Sequence, residues 1–319
     1  MRSIILLLAA AVDTARLSQV HQNWEVLSPI PIAPRQEHSV VALSDTRLAI
    51  VGGILPNPDT GVGFNTTAFV QFYDILADSW SEGLTVASDG AWRALPDSWK
   101  YRPSTGEWTA LPPIPAAKAA GSAAVGVLGN TIVLAGGMRT LEPIGVEGEQ
   151  DTVDFVSVFD TKSCTWSHVP EAASILPEGR DHAAGSVIGS RFYVLGGRLR
   201  GQYNVKDTVF VLDVDDMEAG WATRGARMPT ARGGVVGGNV GGRVYIFGGE
   251  GNTAEGSGGV FDNVEVYDVE LDMWQELGPM RLPRHGGAAA TVGGKIYLPG
   301  GGIREGGSPV NVTDVFSVT

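Results

Sequence analysis

Five times along this chain an apolar, strand-like run ends in a glycine pair: Gly52-Gly53, Gly136-Gly137, Gly196-Gly197, Gly248-Gly249 and Gly300-Gly301. Successive pairs lie 84, 60, 52 and 52 residues apart. A period of 52 to 60 residues in three of the four intervals marks a repeat protein, and a repeat sets the architecture before any local signal does. The first interval is too long for one unit and too short for two.

Each unit carries the same signals in the same order. A tryptophan opens it, and Pro-rich coil leads to an Ala/Gly-rich strand. A second apolar strand ends in Gly-Gly, a variable loop follows, and a third strand ends in an aromatic residue, usually with Asp after it. The stretch from Trp166 to Asp213 shows the whole unit, with Arg180-Asp181-His182 ahead of its first strand. Apolar or alternating runs of four to eight residues bounded by Gly, Asp and Pro read as strands. No convincing helical stripe lies beyond the N-terminus. Four short strands per unit predict the blade of a β-propeller. The small-residue stretches 119–127, 183–189, 233–241 and 286–294 suit the strand nearest the axis, where space is least.

A Trp follows an aromatic residue by seven positions in Tyr73/Trp80, Tyr101/Trp108, Phe159/Trp166 and Tyr267/Trp274. Together with Gly-Gly after Phe-Tyr-Val-Leu or Val-Tyr-Ile-Phe, this resembles the kelch repeat over residues 24 to 319, most closely the secreted kelch proteins grouped as galactose-oxidase-like. The resemblance implies a propeller and says little about function.

Opening tryptophans number six (Trp24, Trp80, Trp108, Trp166, Trp221, Trp274), and so do the third strands, but the Gly-Gly strands number five. From Trp80 to Asp97, which opens a third strand, is 17 residues, where complete units take 40 or 41. The second unit is short by about two strands. The fold expected is therefore all-β: a six-bladed kelch propeller whose blade 2 lacks its inner strands, five complete blades plus a half-blade, closed by the N-terminal strand. Two origins stay open, a degenerate blade or a splice junction; the abruptness favours the junction.

The formal charge of −12 argues against nonspecific nucleic-acid binding and against an anionic membrane surface. Met1-Arg2-Ser3 followed by the apolar run Ile4 to Val12 reads as a signal peptide cleaved after Ala11 or Ala15, too short to span a bilayer. This gives a signal peptide over 1–15, a propeller domain over 16–319 and an extracellular location. Sequons at Asn65 and Asn311 agree with export and predict glycosylation there. Cys164, the one cysteine, excludes an intrachain disulfide and is expected to be a buried residue. No Cys/His cluster has zinc spacing and no phosphate-binding loop is present, so no cofactor or metal is expected.

Strand direction alternates within a blade, so the loops 54–67, 138–152, 198–206, 250–261 and 302–313 all fall on one face, the natural place for binding residues. Charged residues open the inner strands on that face: Arg35 and His38, Arg180 and His182, Arg232, Arg284 and His285. Of these, Arg35, His38, Arg180, His182, Arg232 and Arg284 are the candidate ligand-binding residues, a basic ring suited to a carboxylate or to sugar hydroxyls. A structural reading competes with it. Asp97, Asp154, Asp207, Asp262 and Asp314 open the third strands, and repeated Arg beside repeated Asp is what structural ion pairs require.

The function expected is a secreted scaffold for a protein or carbohydrate ligand, held on the long-loop face. The alternative is a cofactor-free sugar epimerase or mutarotase, a type known among kelch proteins, with Glu37, Glu142 or Glu250 beside an Arg as acid or base. A galactose-oxidase-like copper enzyme fits less well. Its cross-linked cysteine has no counterpart near the channel mouth, since Cys164 belongs to a turn on the opposite face.

Overall fold

In a computed structural model the described residues are 22–56, 64–67, 69–85, 94–142 and 149–318. The expected signal peptide lies outside them. They form five four-stranded antiparallel sheets around a common axis. In chain order the blades are Ser39–Ser44, Arg47–Val51, Phe69–Asp74 and Ser79–Thr85; then Ala124–Leu128, Thr131–Glu142, Glu149–Asp160 and Thr165–Ser167; then Ala184–Ile188, Arg191–Leu195, Val209–Asp213 and Trp221–Thr223. The fourth holds Val236–Val240, Arg243–Phe247, Val264–Asp268 and Met273–Glu276, and the fifth Ala290–Val292, Lys295–Pro299, Thr313–Val318 and, as its outermost strand, Gln22–Leu27.

The expected six blades are corrected to five. Among the described residues, what stands between the first and second blades is the two-stranded ribbon of Ser98–Arg102 and Glu107–Leu111. A ribbon with no inner strands cannot take a blade's place at the axis. Three single-turn 3₁₀ helices, Ala116–Lys118, Glu171–Ala173 and Met217–Ala219, precede or follow outer strands and have no signature in the sequence pattern.

The seven-residue Tyr/Phe–Trp spacing becomes a cross-strand pair. Tyr73 and Trp80 face each other with ring centroids 4.9 Å apart, Tyr101 and Trp108 at 4.8 Å, Phe159 and Trp166 at 5.0 Å, Tyr267 and Trp274 at 4.9 Å. Trp80, Trp166 and Trp221 also donate their indole N–H to the carbonyls of Ser28, Pro112 and Ala173, pinning the chain that enters each blade. The core is a series of wedges between neighbouring sheets. Phe192, Val194, Phe210 and Leu212 fill one; Tyr245, Phe247, Ile296 and Phe316 fill another. Phe72 of the first blade is covered by Tyr101 of the ribbon, stacked at 6.0 Å.

Each Gly-Gly pair has both residues at positive φ, as in Gly248 (55°) and Gly249 (118°). The second glycine's N–H bonds the carbonyl of the next blade's arginine: Gly137 to Arg180, Gly197 to Arg232, Gly249 to Arg284 and Gly301 to Arg35. The repeat signature is thus the inter-blade fastener, and a Cβ on Gly248 would sit 2.0 Å from the Arg284 carbonyl oxygen. Gly53 makes no such bond among the described residues, because the chain that follows supplies no inner strand. Among the described residues the inner strands on either side of this place carry half-exposed valines, Val41 at 48% and Val125 at 47%.

Two local expectations also change. The loop expected over 138–152 is largely strand, since Thr131–Glu142 and Glu149–Asp160 continue past the glycines with two register shifts. Cys164 is partly exposed in the turn after Asp160, at φ 56°, with Sγ 3.5 Å from the Thr161 carbonyl oxygen, rather than buried.

Candidate functional site

Two consecutive positions ahead of each inner strand build the axial mouth. The first, Gln36, Gly121, Asp181, Gly233 or His285, bridges the residue that follows a Gly-Gly pair: Ile54, Met138, Arg198, Glu250 or Gly302. The next residue is Glu37, Ser122, His182, Gly234 or Gly286, and all five adopt left-handed backbone, with φ between 52° and 61°. Their main chains hydrogen-bond in sequence around the axis. His182 N–H donates to Ser122, Gly234 to His182, Gly286 to Gly234 and Glu37 to Gly286. Among the described residues the chain of bonds stops between Glu37 and Ser122, on either side of the ribbon.

Side chains from these positions form a buried ionic cluster. His182 Nδ1 is 2.6 Å from Asp181 Oδ1, and its Nε2 is 3.3 Å from Ser122 Oγ, 3.2 Å from Arg198 Nη2 and 3.7 Å from Glu37 Oε2. Arg198 donates to Asp181 (3.1 Å), to Gln202 (2.8 Å) and to Glu250. Glu250 also takes the Gly306 N–H at 3.1 Å and lies 3.2 Å from His285 Nδ1. Burial opposes ionisation of Glu250, yet His285, Arg198 and His182 together bring its carboxyl down to about 2. Asp181 behaves alike: burial works against its charge, but the hydrogen bond to His182 and the charge of Arg198 hold it below the usual carboxylate range. Arg198 is itself raised, the attraction of Glu250 and Asp181 outweighing its burial.

The six candidate binding residues lie next to this cluster. Arg35, Arg180, Arg232 and Arg284 are almost wholly buried, turned into the blade junctions rather than open space. Arg35 donates to the Phe69 carbonyl at 3.1 Å and to Gln71; Arg180 to the Gly196 carbonyl at 3.1 Å, Thr208 at 2.8 Å and Glu178 at 2.9 Å. Arg232 donates to the Gly248 carbonyl at 2.6 Å and pairs with Glu265 at 2.8 Å; Arg284 donates to Leu298 at 3.1 Å and pairs with Asp314 at 2.8 Å. Burial lowers Arg35 and Arg180 to about 10. His38 bonds the Pro299 carbonyl through Nε2 at 2.9 Å, and burial, then the charge of Arg35, press its imidazole down to about 3. His182 alone of the six reaches the axial cluster.

Of the five acidic residues that open third strands, Asp314 meets an inner-strand arginine; Asp207 instead binds Arg227, which is exposed. Among the epimerase candidates, Glu37 is at the axis with its side chain 18% exposed and Glu250 is buried in its ion pair. The side chain of Glu142 lies outside the described residues. Sequence reasoning passed over Asp181, Arg198, Ser122 and Gln202. Arg198 could have been found as a charged residue directly after a Gly-Gly pair, the position that Glu250 holds in the next blade. Asn65 and Asn311 are both exposed. Among the described residues no group of three or more His, Cys, Asp or Glu is arranged to hold a metal ion, and no helix is long and apolar enough to cross a membrane.

On the long-loop face, between the second and third blades, a cavity of about 300 Å³ is lined by Arg139, Asp151, Asp154, Phe155, Leu199 and Arg200, among others. Arg139 pairs with Asp151, Nε to Oδ2 at 2.7 Å. The Arg200 guanidinium and the Asp154 carboxylate meet no partner among the described residues. Arg200 is held in left-handed backbone, φ 50°, by its N–H bond to Thr152 Oγ1 at 2.8 Å, and Thr152 donates in turn to Asp181.

The family description for the KLHDC2/KLHL20/DRC7 Kelch-repeats domain matches residues 85–301. Kelch-like protein terF of Aspergillus terreus is 32% identical over 98% of this chain and 72% of its own length. The zebrafish (Danio rerio) Kelch repeat and BTB domain-containing protein 12 is 30% identical over 48% of this chain, which spans 25% of that protein. The N-acetylneuraminate epimerase of Vibrio cholerae is 30% identical over 32% of this chain and 26% of its own length.

Proposed function

The chain belongs to the kelch-repeat β-propeller proteins, and on that premise we propose that it is an extracellular binding scaffold whose long-loop face holds a protein or carbohydrate ligand. The observation that carries this reading is the division of charge. The repeated arginines are occupied inside the blade junctions, whereas Arg200 and Asp154, at the rim of a cavity on the loop face, meet no side-chain partner among the described residues. An unpaired guanidinium and carboxylate over an aromatic wall at Phe155 suit a polar ligand with hydroxyl or carboxylate groups. The buried frame supports them from behind, through Thr152 and Asp181.

Arg200→Ala and Asp154→Ala, at exposed positions, leave the melting temperature nearly unchanged and abolish binding to whichever member of a panel of sugars, sugar acids and displayed peptides the wild-type chain retains. Retention of that binding by both variants removes the cavity from the reading.

A second reading, the cofactor-free epimerase or mutarotase, is favoured by one observation: Glu37 lies 3.7 Å from His182 at the axis, a carboxylate and an imidazole placed to exchange protons. The partial similarity to N-acetylneuraminate epimerase points the same way. Exchange between anomers, followed by NMR on N-acetylneuraminate and galactose, separates the two: a rate above the uncatalysed one that is lost in Glu37→Gln supports catalysis.

A further inference from the structure

Ser122 stands at the free end of the axial hydrogen-bond chain, and its surroundings are those of an activated alcohol. Its Oγ is 3.3 Å from His182 Nε2, and His182 Nδ1 is 2.6 Å from Asp181 Oδ1. Asp181 is fully buried and also accepts from Thr152 and Arg198, so it has the ionised form that a guanidinium neighbour favours. A carboxylate at Nδ1 places the ring hydrogen there, so the single Nε2 lone pair is shared by two donors, the Ser122 hydroxyl and Arg198 Nη2. Arg198 Nη2, 3.2 Å from Nε2, can only donate and agrees with that tautomer.

The backbone supports the same reading. Of the five equivalent left-handed positions, two are glycine, the residue that such backbone favours. The other three keep side chains at a conformational cost, and of those three His182 meets both Ser122 and Glu37. Ser122 is partly exposed, and its N–H has no acceptor among the described residues. Val125, on the strand that Ser122 leads into, and Val41 of the first blade are half exposed and offer apolar surface to an acyl group.

We infer that Ser122, His182 and Asp181 form a hydrolytic triad acting on short-chain carboxylic esters. Ser122 Oγ attacks the ester carbonyl carbon while its proton passes to His182 Nε2; the carbonyl π pair moves to oxygen. The tetrahedral species collapses with cleavage of the carbon–alkoxide bond, and His182 returns the proton to the departing alcohol. Water then attacks the acyl-serine, His182 taking its proton, and collapse restores Ser122 with release of the carboxylic acid. Asp181 orients the imidazole and, with Glu37, offsets the charge it gains. The Ser122 N–H, which meets no acceptor among the described residues, is the donor assigned to the oxyanion, a modest stabilisation that suits esters rather than amides.

The test treats the full chain with a fluorophosphonate probe and maps the adduct by peptide mass spectrometry. Hydrolysis of p-nitrophenyl acetate is followed in parallel. The expected result is one adduct on Ser122, and a loss of hydrolysis of about 100-fold or more in Ser122→Ala, whose melting temperature stays near that of the wild type. His182→Gln loses the adduct while keeping the serine. No adduct on the wild-type chain, an adduct at another residue, or undiminished hydrolysis in Ser122→Ala overturns the inference. The wild-type map decides the matter even where His182→Gln fails to fold.

Discussion

Arg198 of the third blade and Glu250 of the fourth form a buried ion pair across the blade junction, each supplied by the residue directly after a Gly-Gly pair. The pair couples the device that fastens adjacent blades to the electrostatics of the axial mouth.

Breaking it from one side leaves an uncompensated buried charge. Glu250→Gln and Arg198→Met each destabilise the chain by about 3–5 kcal/mol. The double variant Arg198→Met/Glu250→Leu loses less than the sum, since the two charges of the pair leave together, while Asp181 and His285 each lose one partner. Urea unfolding of the four chains measures the coupling.

Acid sensitivity follows from groups with depressed values in the folded state. His38 falls from 6.5 to about 3 and Glu250 from 4.5 to about 2. A folded-state value below the unfolded one means the unfolded chain binds protons first. The stabilising contribution is therefore complete above pH 6.5 and lost on acidification. His38 accounts for the loss between pH 6.5 and about 3, and Glu250 for that between 4.5 and about 2. His38→Gln, whose amide N–H can still reach the Pro299 carbonyl, flattens the melting temperature between pH 6.5 and 5 relative to the wild type.

Two glycines with similar backbone separate conformation from crowding. Gly248 (φ 55°) has the Arg284 carbonyl oxygen 2.0 Å from where a Cβ would stand, whereas Gly293 (φ 58°) has nothing within 4 Å. Gly293→Ala costs about 1 kcal/mol, the left-handed penalty alone. Gly248→Ala costs about 3 kcal/mol or more, because two blades must part. Denaturant midpoints of the two variants test the difference.

If the chain is exported, the exposed Asn65 and Asn311 both receive glycans in a eukaryotic secretory host. Peptide N-glycosidase then shifts the product by two steps, and Asn65→Gln or Asn311→Gln removes one step each. Retention of the unmodified chain inside the cell is the outcome that overturns extracellular location.

Much of the fold was legible in the residues. The Gly-Gly period announced the blades, and the seven-residue aromatic spacing became the pairing of third and fourth strands, because a hairpin register turns a fixed sequence interval into a cross-strand contact. The short interval after Trp80 showed that inner strands were missing. It did not show that the remainder would stand as a ribbon outside a five-bladed ring, since blade number depends on which sheets reach the axis.

The site was less legible. Arg180 and His182 looked equivalent, two positions apart and both charged, yet one turns into the blade junction and the other toward the axis. Ser122 carries no motif, and it meets His182 across 60 residues of chain.

The sequence by itself determined the repeat, the all-β blade and the position of the defect, because these depend on local periodicity and on glycine's backbone freedom. The tertiary structure alone decided which charges are buried as struts and which converge at the mouth. That assignment follows from how the blades close around the axis, where residues from Glu37 to Gly306 are brought within ion-pair or hydrogen-bond reach of one cluster.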